Sequence, residues 1–295
     1  MAITILDGGM GGEISARVAG AGHGLWSAKA LLDAPEVVVD IHREYIEAGA
    51  RMVITNTYST IPHYLGKEGL EDQFEKLTGL GGELARRAVT ESGEDVLVAG
   101  SLPPLNESYR ADLVPPSHEA IPLYEKLVQA LLPYVDFFIC ETMSTGQEAV
   151  NAASAALEYG KGRPVYVAWT LAETPGSGLR SGESIAAAYE QLAHLNISGL
   201  LFNCTSPEAT LVALRELRAI TDLPIGGYAN RMNSVDADWT LDNEIITGRR
   251  EDLDTQKFVA VCMQFAEAGA TIIGGCCGIN PSDIEALSNA FVSTD

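Results

Sequence analysis

Short apolar runs rich in β-branched and aromatic residues alternate along this chain with longer amphipathic stretches. The runs occupy residues 3–6, 52–55, 96–99, 137–140, 165–169, 199–202, 225–228 and 271–273. Between them, segments such as 36–48 and 208–217 repeat their apolar residues at helical spacing. Continuous rather than alternating apolar strands imply a parallel sheet covered on both faces, and strand–helix alternation supplies the covering helices. Eight such strands over about 270 residues match a (β/α)8 TIM barrel. A doubly wound open sheet is the alternative. Residues 1–295 are expected to form a single barrel domain, and 46% hydrophobic composition over 295 residues supports one large core.

The residues that follow the runs differ in kind from the runs themselves. In order they are Asp7-Gly8-Gly9, Asn56-Thr57-Tyr58, Gly100-Ser101, Glu141-Thr142, Trp169-Thr170, Asn203-Cys204-Thr205, Ala229-Asn230 and Gly274-Gly275-Cys276-Cys277. Parallel α/β folds keep their chemistry at the carboxyl ends of strands, so this set is the candidate site. Long connections at 8–32, 102–122, 172–182 and 230–254 are expected to build the mouth around it. No lysine lies at a strand end, which weakens a Schiff-base reading. No glycine-rich phosphate loop follows a strand; Gly79-Leu80-Gly81-Gly82 reads as a helix junction.

Charge narrows the partners. Forty acidic residues against nineteen Lys and Arg give a formal net charge of −21, which disfavours nucleic acid and anionic membrane. No run reaches the roughly 18 apolar residues of a membrane span, and the amino terminus has no basic signal region. The expectation is a cytoplasmic monomer or small homo-oligomer acting on small molecules.

Five cysteines carry the candidate chemistry. Cys262 sits on a helical apolar face and reads as packing; Cys140 ends an apolar run and suits core or site. Cys276 and Cys277, flanked by three glycines, share the strand-end position with Cys204. Three thiols at two strand ends point to a zinc site with one coordination position open, although Asp, Glu, His or Asn203 can supply a fourth ligand. Three unrelated core thiols, or a zinc that only staples the barrel, are the structural alternatives. Three thiolates make zinc a poor activator of water but suit it to holding a substrate thiol as thiolate, which implies alkyl transfer to sulfur. With a sulfonium or ammonium donor the charges cancel in the transition state, and no oxyanion hole is needed.

Asp7 and Glu141 add a second signal. Two carboxylates facing one mouth suit an α-ammonium group, and the Gly8 and Gly9 amides are placed for its carboxylate. An amino-acid thiol such as homocysteine satisfies both signals.

Together these residues resemble the homocysteine S-methyltransferase family across the whole chain. The resemblance rests on Leu6-Asp7-Gly8-Gly9, Leu25-Trp26-Ser27, Glu47-Ala-Gly-Ala50 with Ile54-Thr55-Asn56-Thr57-Tyr58, and Glu141-Thr142 with Glu148-Ala149. It extends through Gly178-Leu179-Arg180-Ser181-Gly182, Asn203-Cys204 and Gly274-Gly275-Cys276-Cys277-Gly278. It implies zinc on Cys204, Cys276 and Cys277, Asp7 and Glu141 on the homocysteine amino group, and methionine as product; Gly8, Gly9, Thr55 and Asn203 complete the candidate substrate contacts. The family's donors are S-methylmethionine, S-adenosylmethionine, betaine or methylfolate, and within these 295 residues the folate and cobalamin modules of the multidomain members are not expected. The stretch Tyr228-Ala229-Asn230-Arg231-Met232-Asn233 departs from the YPNSG of many members. Trp26, Tyr58, Tyr228 and Trp239 are the candidate aromatic contacts for a cationic donor. The acidic stretch holding Asp236, Asp238, Asp242, Glu244, Glu251, Asp252 and Asp254 favours a cation over a polyanionic folate. Selenocysteine or another small thiol is the alternative acceptor, and a non-catalytic zinc or thiol redox sensor the alternative class.

Overall fold

Eight parallel strands form one sheet in the order β1-β8-β7-β6-β5-β4-β3-β2. They are β1 (Thr4–Ile5), β2 (Met52–Ile54), β3 (Leu97–Leu102), β4 (Phe137–Met143), β5 (Val165–Trp169), β6 (Gly199–Asn203), β7 (Ile225–Ala229) and β8 (Ala270–Gly275). The structure is a computed structural model that describes residues 3–18, 27–234 and 248–292. The two ends of the sheet meet: Leu6 bridges Met52, Arg51 donates to the Ile5 carbonyl, and Asp7 donates to the Met52 carbonyl. That closure makes the sheet a (β/α)8 barrel. The open-sheet alternative is excluded.

One long helix follows each strand. These are α1 (Pro35–Glu47), α2 (Phe74–Ser92), α3 (Ser117–Leu131), α4 (Gly146–Tyr159), α5 (Ile185–Leu192), α6 (Pro207–Arg218), α7 (Thr255–Glu267) and α8 (Pro281–Val292). Their starts follow local chemistry. The hydroxyls of Thr145, Ser184 and Ser206 and the carboxylate of Asp254 each accept a first-turn amide, and Pro35, Pro207 and Pro281 occupy first helical positions. The long connection after β1 holds two further short helices, Met10–Arg17 and Ala28–Asp33.

The core has two layers. Leu6, Met52, Ala99, Phe137, Ile139, Ala168, Leu201, Tyr228 and Ile272, from or beside all eight strands, pack together inside the barrel. The larger cluster lies between the strands and the helices and includes Cys140 and Cys262. Both cysteines are fully buried there, so Cys140 belongs to the core and not to the site.

Two expectations change. Glu141 and Thr142 lie within β4 rather than after it, because the β4–β5 register shifts between Cys140 and Met143 and carries the strand further. Gly79–Gly82 lies inside α2, not at a junction. A Cβ at Gly81 would come within 2.6 Å of Thr57 and 3.1 Å of the Asn56 carbonyl, so this glycine lets α2 press against the loop after β2.

Candidate active site

The Sγ atoms of Cys204, Cys276 and Cys277 lie within 4.8 Å of one another, and no other His, Asp or Glu among the described residues joins them. Hydrogen bonds tie the backbone of this cluster to the ends of β5 and β7. Cys276 donates to the Ala229 carbonyl at the end of β7 (3.0 Å), and the Cys277 carbonyl accepts from Arg231 (2.9 Å). Thr170, beyond β5, donates to the Cys204 carbonyl (3.3 Å). Cys204 takes a left-handed backbone with φ of +49°, a costly conformation for a side chain with a Cβ. It turns the chain at the β6 end so that the thiol meets the β8 pair. Hydrogen bonds from Cys204 and Cys276 hold the Cys277 thiol well below its ordinary value. An all-thiol, three-donor set of this size fits a soft or borderline metal ion and not a hard, oxygen-seeking one.

The glycines flanking the cluster are there for clearance. A Cβ on Gly9 would come within 2.8 Å of the Cys276 carbonyl, and one on Gly274 within 2.9 Å of the Asp7 carbonyl. Gly9 already donates its amide to Ile279 (2.9 Å), so of the two amides expected to hold a carboxylate only that of Gly8 is not used in this way.

Asp7 and Glu141 are both buried beside the thiols. Burial pushes Asp7 well above the usual carboxylate range, the Ile54 amide at 2.8 Å opposes this, and the nearby Glu141 charge adds to it. Burial likewise raises Glu141 to about 7, against hydrogen bonds from Ser101 and from Tyr228, whose hydroxyl donates at 3.2 Å. Cys277 raises Glu141 further, and Glu141 in turn acts on Cys204. Carboxyls and thiols therefore share one mouth at the carboxyl ends of β1, β4, β6 and β8.

The homocysteine S-methyltransferase sequence profile matches residues 4–291. The chain belongs to the homocysteine S-methyltransferase family. It is 32% identical to homocysteine S-methyltransferase of Escherichia coli over 97% of this chain and 94% of that one. Selenocysteine methyltransferase of Astragalus bisulcatus is 27% identical over 96% of this chain and 90% of its own length. The homocysteine methyltransferase MmuM of Escherichia coli, in its metallated form, superimposes with a TM-score of 0.81 at 29% identity, covering 98% of this chain and 96% of that one.

Within this homocysteine S-methyltransferase fold the other expected residues take distinct positions. Asn203 is fully buried, and its amide accepts from the Thr142 N–H (2.8 Å) and donates to the Thr142 hydroxyl (2.8 Å). Thr55 shares a hydrogen bond with Thr57 and accepts the Ser101 amide (3.0 Å). Both side chains are engaged in bracing neighbouring strand ends. Tyr228 is buried with its hydroxyl on Glu141, so it belongs to the carboxyl pair more than to a donor surface. Tyr58 is half-buried and bonds Ser108 at 2.7 Å. Trp26 and Trp239, and with them Asp236, Asp238, Asp242 and Glu244, lie outside the described residues.

The departure at Arg231 has a structural reason. Its guanidinium bonds Asp283 at 2.8 Å and lies 5.6 Å over the Phe258 ring, with only 4% and 1% of the Arg231 and Asp283 side chains exposed. Asp283 also accepts from the Asn280 amide (3.1 Å), so this pair ties the loop after β7 to the start of α8, just beyond Cys277.

Two residues of the methyltransferase mouth are given no role by the sequence, although Arg180 lies within the segment 178–182 that resembles the family. Tyr109, with φ of +66°, lies in the long connection after β3, and Cys204, Cys277, Tyr58 and Cys276 act on its hydroxyl. The Arg180 guanidinium lies 4.7 Å over its ring. No periodicity or spacing marks either residue.

No helix among the described residues is long and apolar enough to cross a membrane.

Proposed function

We propose that this family member transfers a methyl group from a cationic donor to the thiol of L-homocysteine, with zinc held by Cys204, Cys276 and Cys277. The observation that carries the reading is the all-thiol cluster beside a buried carboxyl pair. Zinc on three thiolates lowers the pKa of a thiol presented to it and supplies a nucleophilic sulfur at neutral pH.

The chain's own residues supply recognition. Asp7 and Glu141, both raised by burial, lose their protons readily when an α-ammonium enters and offsets their charge. Ser101 and Tyr228 orient Glu141 toward that group, and the Gly8 amide is the remaining donor for the substrate carboxylate. Tyr58 offers a phenol face to a sulfonium or quaternary ammonium group. Among cationic donors the reading favours S-methylmethionine or S-adenosylmethionine over betaine. Selenocysteine is the second acceptor, because a relative similar over nearly its whole length is a selenocysteine methyltransferase.

Purified protein tests this directly. About one zinc per chain, with methionine released from homocysteine and S-methylmethionine, is the expected result. Zinc without transfer from any sulfonium, betaine or methylfolate donor would remove the reading.

A further inference from the structure

Arg180 stands at the mouth in a rigid setting. Its backbone donates to the Thr170 carbonyl (3.4 Å), and Thr170 holds the Cys204 carbonyl. The next residue, Ser181, donates to the Ser144 carbonyl beyond β4 (3.2 Å). The loop after β5 is thereby pinned to two strand ends beside the thiols.

The platform beneath the arginine is equally fixed. Glu107 is buried and takes bonds from His63 (2.8 Å), Lys67 (2.8 Å) and Tyr64 (3.2 Å), while Ser108 bonds Tyr58. Those contacts hold Tyr109 under Arg180 in its left-handed conformation. Glu173 takes the Nη2 end of Arg180 at 2.6 Å, and only 12% of the Arg180 side chain is exposed. Its Nε has no hydrogen-bond partner among the described residues. A buried donor without an acceptor carries a desolvation penalty that an incoming acceptor relieves. Arg231 Nε also has no hydrogen-bond partner among the described residues, but Asp283 and the Phe258 ring enclose that guanidinium, with 4% of its side chain exposed against 12% for Arg180.

We infer that Arg180, stacked on Tyr109, binds a carboxylate carried by the methyl donor, so that the preferred donor is a zwitterion with its onium methyl at the thiols. A planar guanidinium already held by stacking and by Glu173 loses little freedom when it takes a carboxylate. Glu173 also offsets its charge, so an onium centre nearby meets no bare cation. The methyl leaves the onium sulfur with that sulfur keeping the bonding pair, the new bond forms to the acceptor sulfur, and the thiol proton passes to solvent. This assignment rests on the methyltransferase reading of the thiol site.

The test pairs two donors, S-methyl-L-methionine and its carboxamide, with wild-type, Arg180→Met and Arg180→Lys protein. Arg180→Met should raise KM for S-methylmethionine by about 10- to 100-fold, as expected for a lost charge-assisted bond, with homocysteine KM and zinc content unchanged. Arg180→Lys should fall between. The carboxamide should be a poor donor for wild type and no worse for Arg180→Met. Calorimetric titration of wild type alone, with tighter binding of S-methylmethionine than of its carboxamide, carries the test if a variant fails to fold. Equal use and equal binding of both donors by an active wild type would overturn the arginine assignment alone, as would a rise confined to homocysteine KM. A wild type that binds neither donor would overturn the arginine assignment, and one that also makes no methionine from S-adenosylmethionine, betaine or methylfolate would bring down the methyltransferase reading with it.

Discussion

Asn203 gives both ends of its side-chain amide to Thr142, joining the end of β6 to the end of β4. Thr142 follows Glu141 and has φ of +61°; Asn203 precedes Cys204, with φ of +49°. The bond pair therefore couples the backbone that presents a carboxyl to the backbone that presents a thiol. Asn203→Ala should cost about 1–3 kcal/mol by leaving buried polar groups unpaired, and should raise homocysteine KM. Thermal unfolding and steady-state kinetics measure the two effects. A stable variant with normal KM would show that the coupling is incidental.

The cysteines separate by role. Cys276→Ala or Cys277→Ala should lose zinc and turnover together, since two thiolates hold the metal poorly. Cys262→Ala should keep its zinc, because that thiol packs among α7 and its neighbours. Chelation should silence the wild type, and added zinc should restore it. Stoichiometric zinc in either of the first two variants would contradict the assignment.

Asp7→Asn and Glu141→Gln keep shape while removing charge. Each should keep zinc while homocysteine affinity falls by about 10- to 150-fold, the range of a lost charge-assisted hydrogen bond. An unchanged homocysteine KM in both would make these carboxyls structural.

Stability should depend on pH through His42 on the acid side and, with the opposite sign, through Glu148, which acts in the same direction as the raised Asp7 and Glu141. His42 is fully buried, neither ring nitrogen has a partner among the described residues, and burial lowers it to about 4. The unfolded chain then binds more protons than the folded one, so stability is lost as pH falls through the window from about 6.5 to 4. The loss is about 3 kcal/mol for a shift of this size. Glu148 is raised to about 8 by burial, so the folded state keeps a proton that the unfolded chain releases above about 4.5. Stability contributed by Glu148 therefore declines as pH rises toward 8. His42→Leu should flatten the acid limb and Glu148→Gln should make the alkaline limb shallower in denaturant titrations. Limbs of unchanged slope would show that other groups govern them.

Arg231 and Asp283 form a buried pair whose loss strands a charge. Arg231→Ala should cost about 3–5 kcal/mol and weaken zinc retention by loosening the turn after Cys277. Partial compensation by Arg249, 3.3 Å from Asp283, sets the lower end. Zinc content after dialysis, compared with an unfolding midpoint, distinguishes a local effect on the turn from a global one.

Much of this molecule is determined by its sequence alone. Strand and helix periods, the small polar residues that end each strand, and the thiols of Cys204, Cys276 and Cys277 are local patterns, written by covalent neighbours. The barrel and the position of its site follow, because parallel strands of that character need helices on their outer face and carry chemistry at their carboxyl ends. Tertiary structure decided which donors and acceptors remain available. Gly9 gives its amide to Ile279, and Asn203 and Thr55 brace other strand ends. Cys140 turns to the outer layer while its neighbour Glu141 faces the mouth, and Arg231 is enclosed by residues far along the chain. Tyr109 and Arg180, 71 positions apart by their numbers, meet only because the loops after β3 and β5 lean over the same strand ends. Such partnerships depend on barrel closure, strand register and loop path, which bring together residues that no spacing along the chain relates.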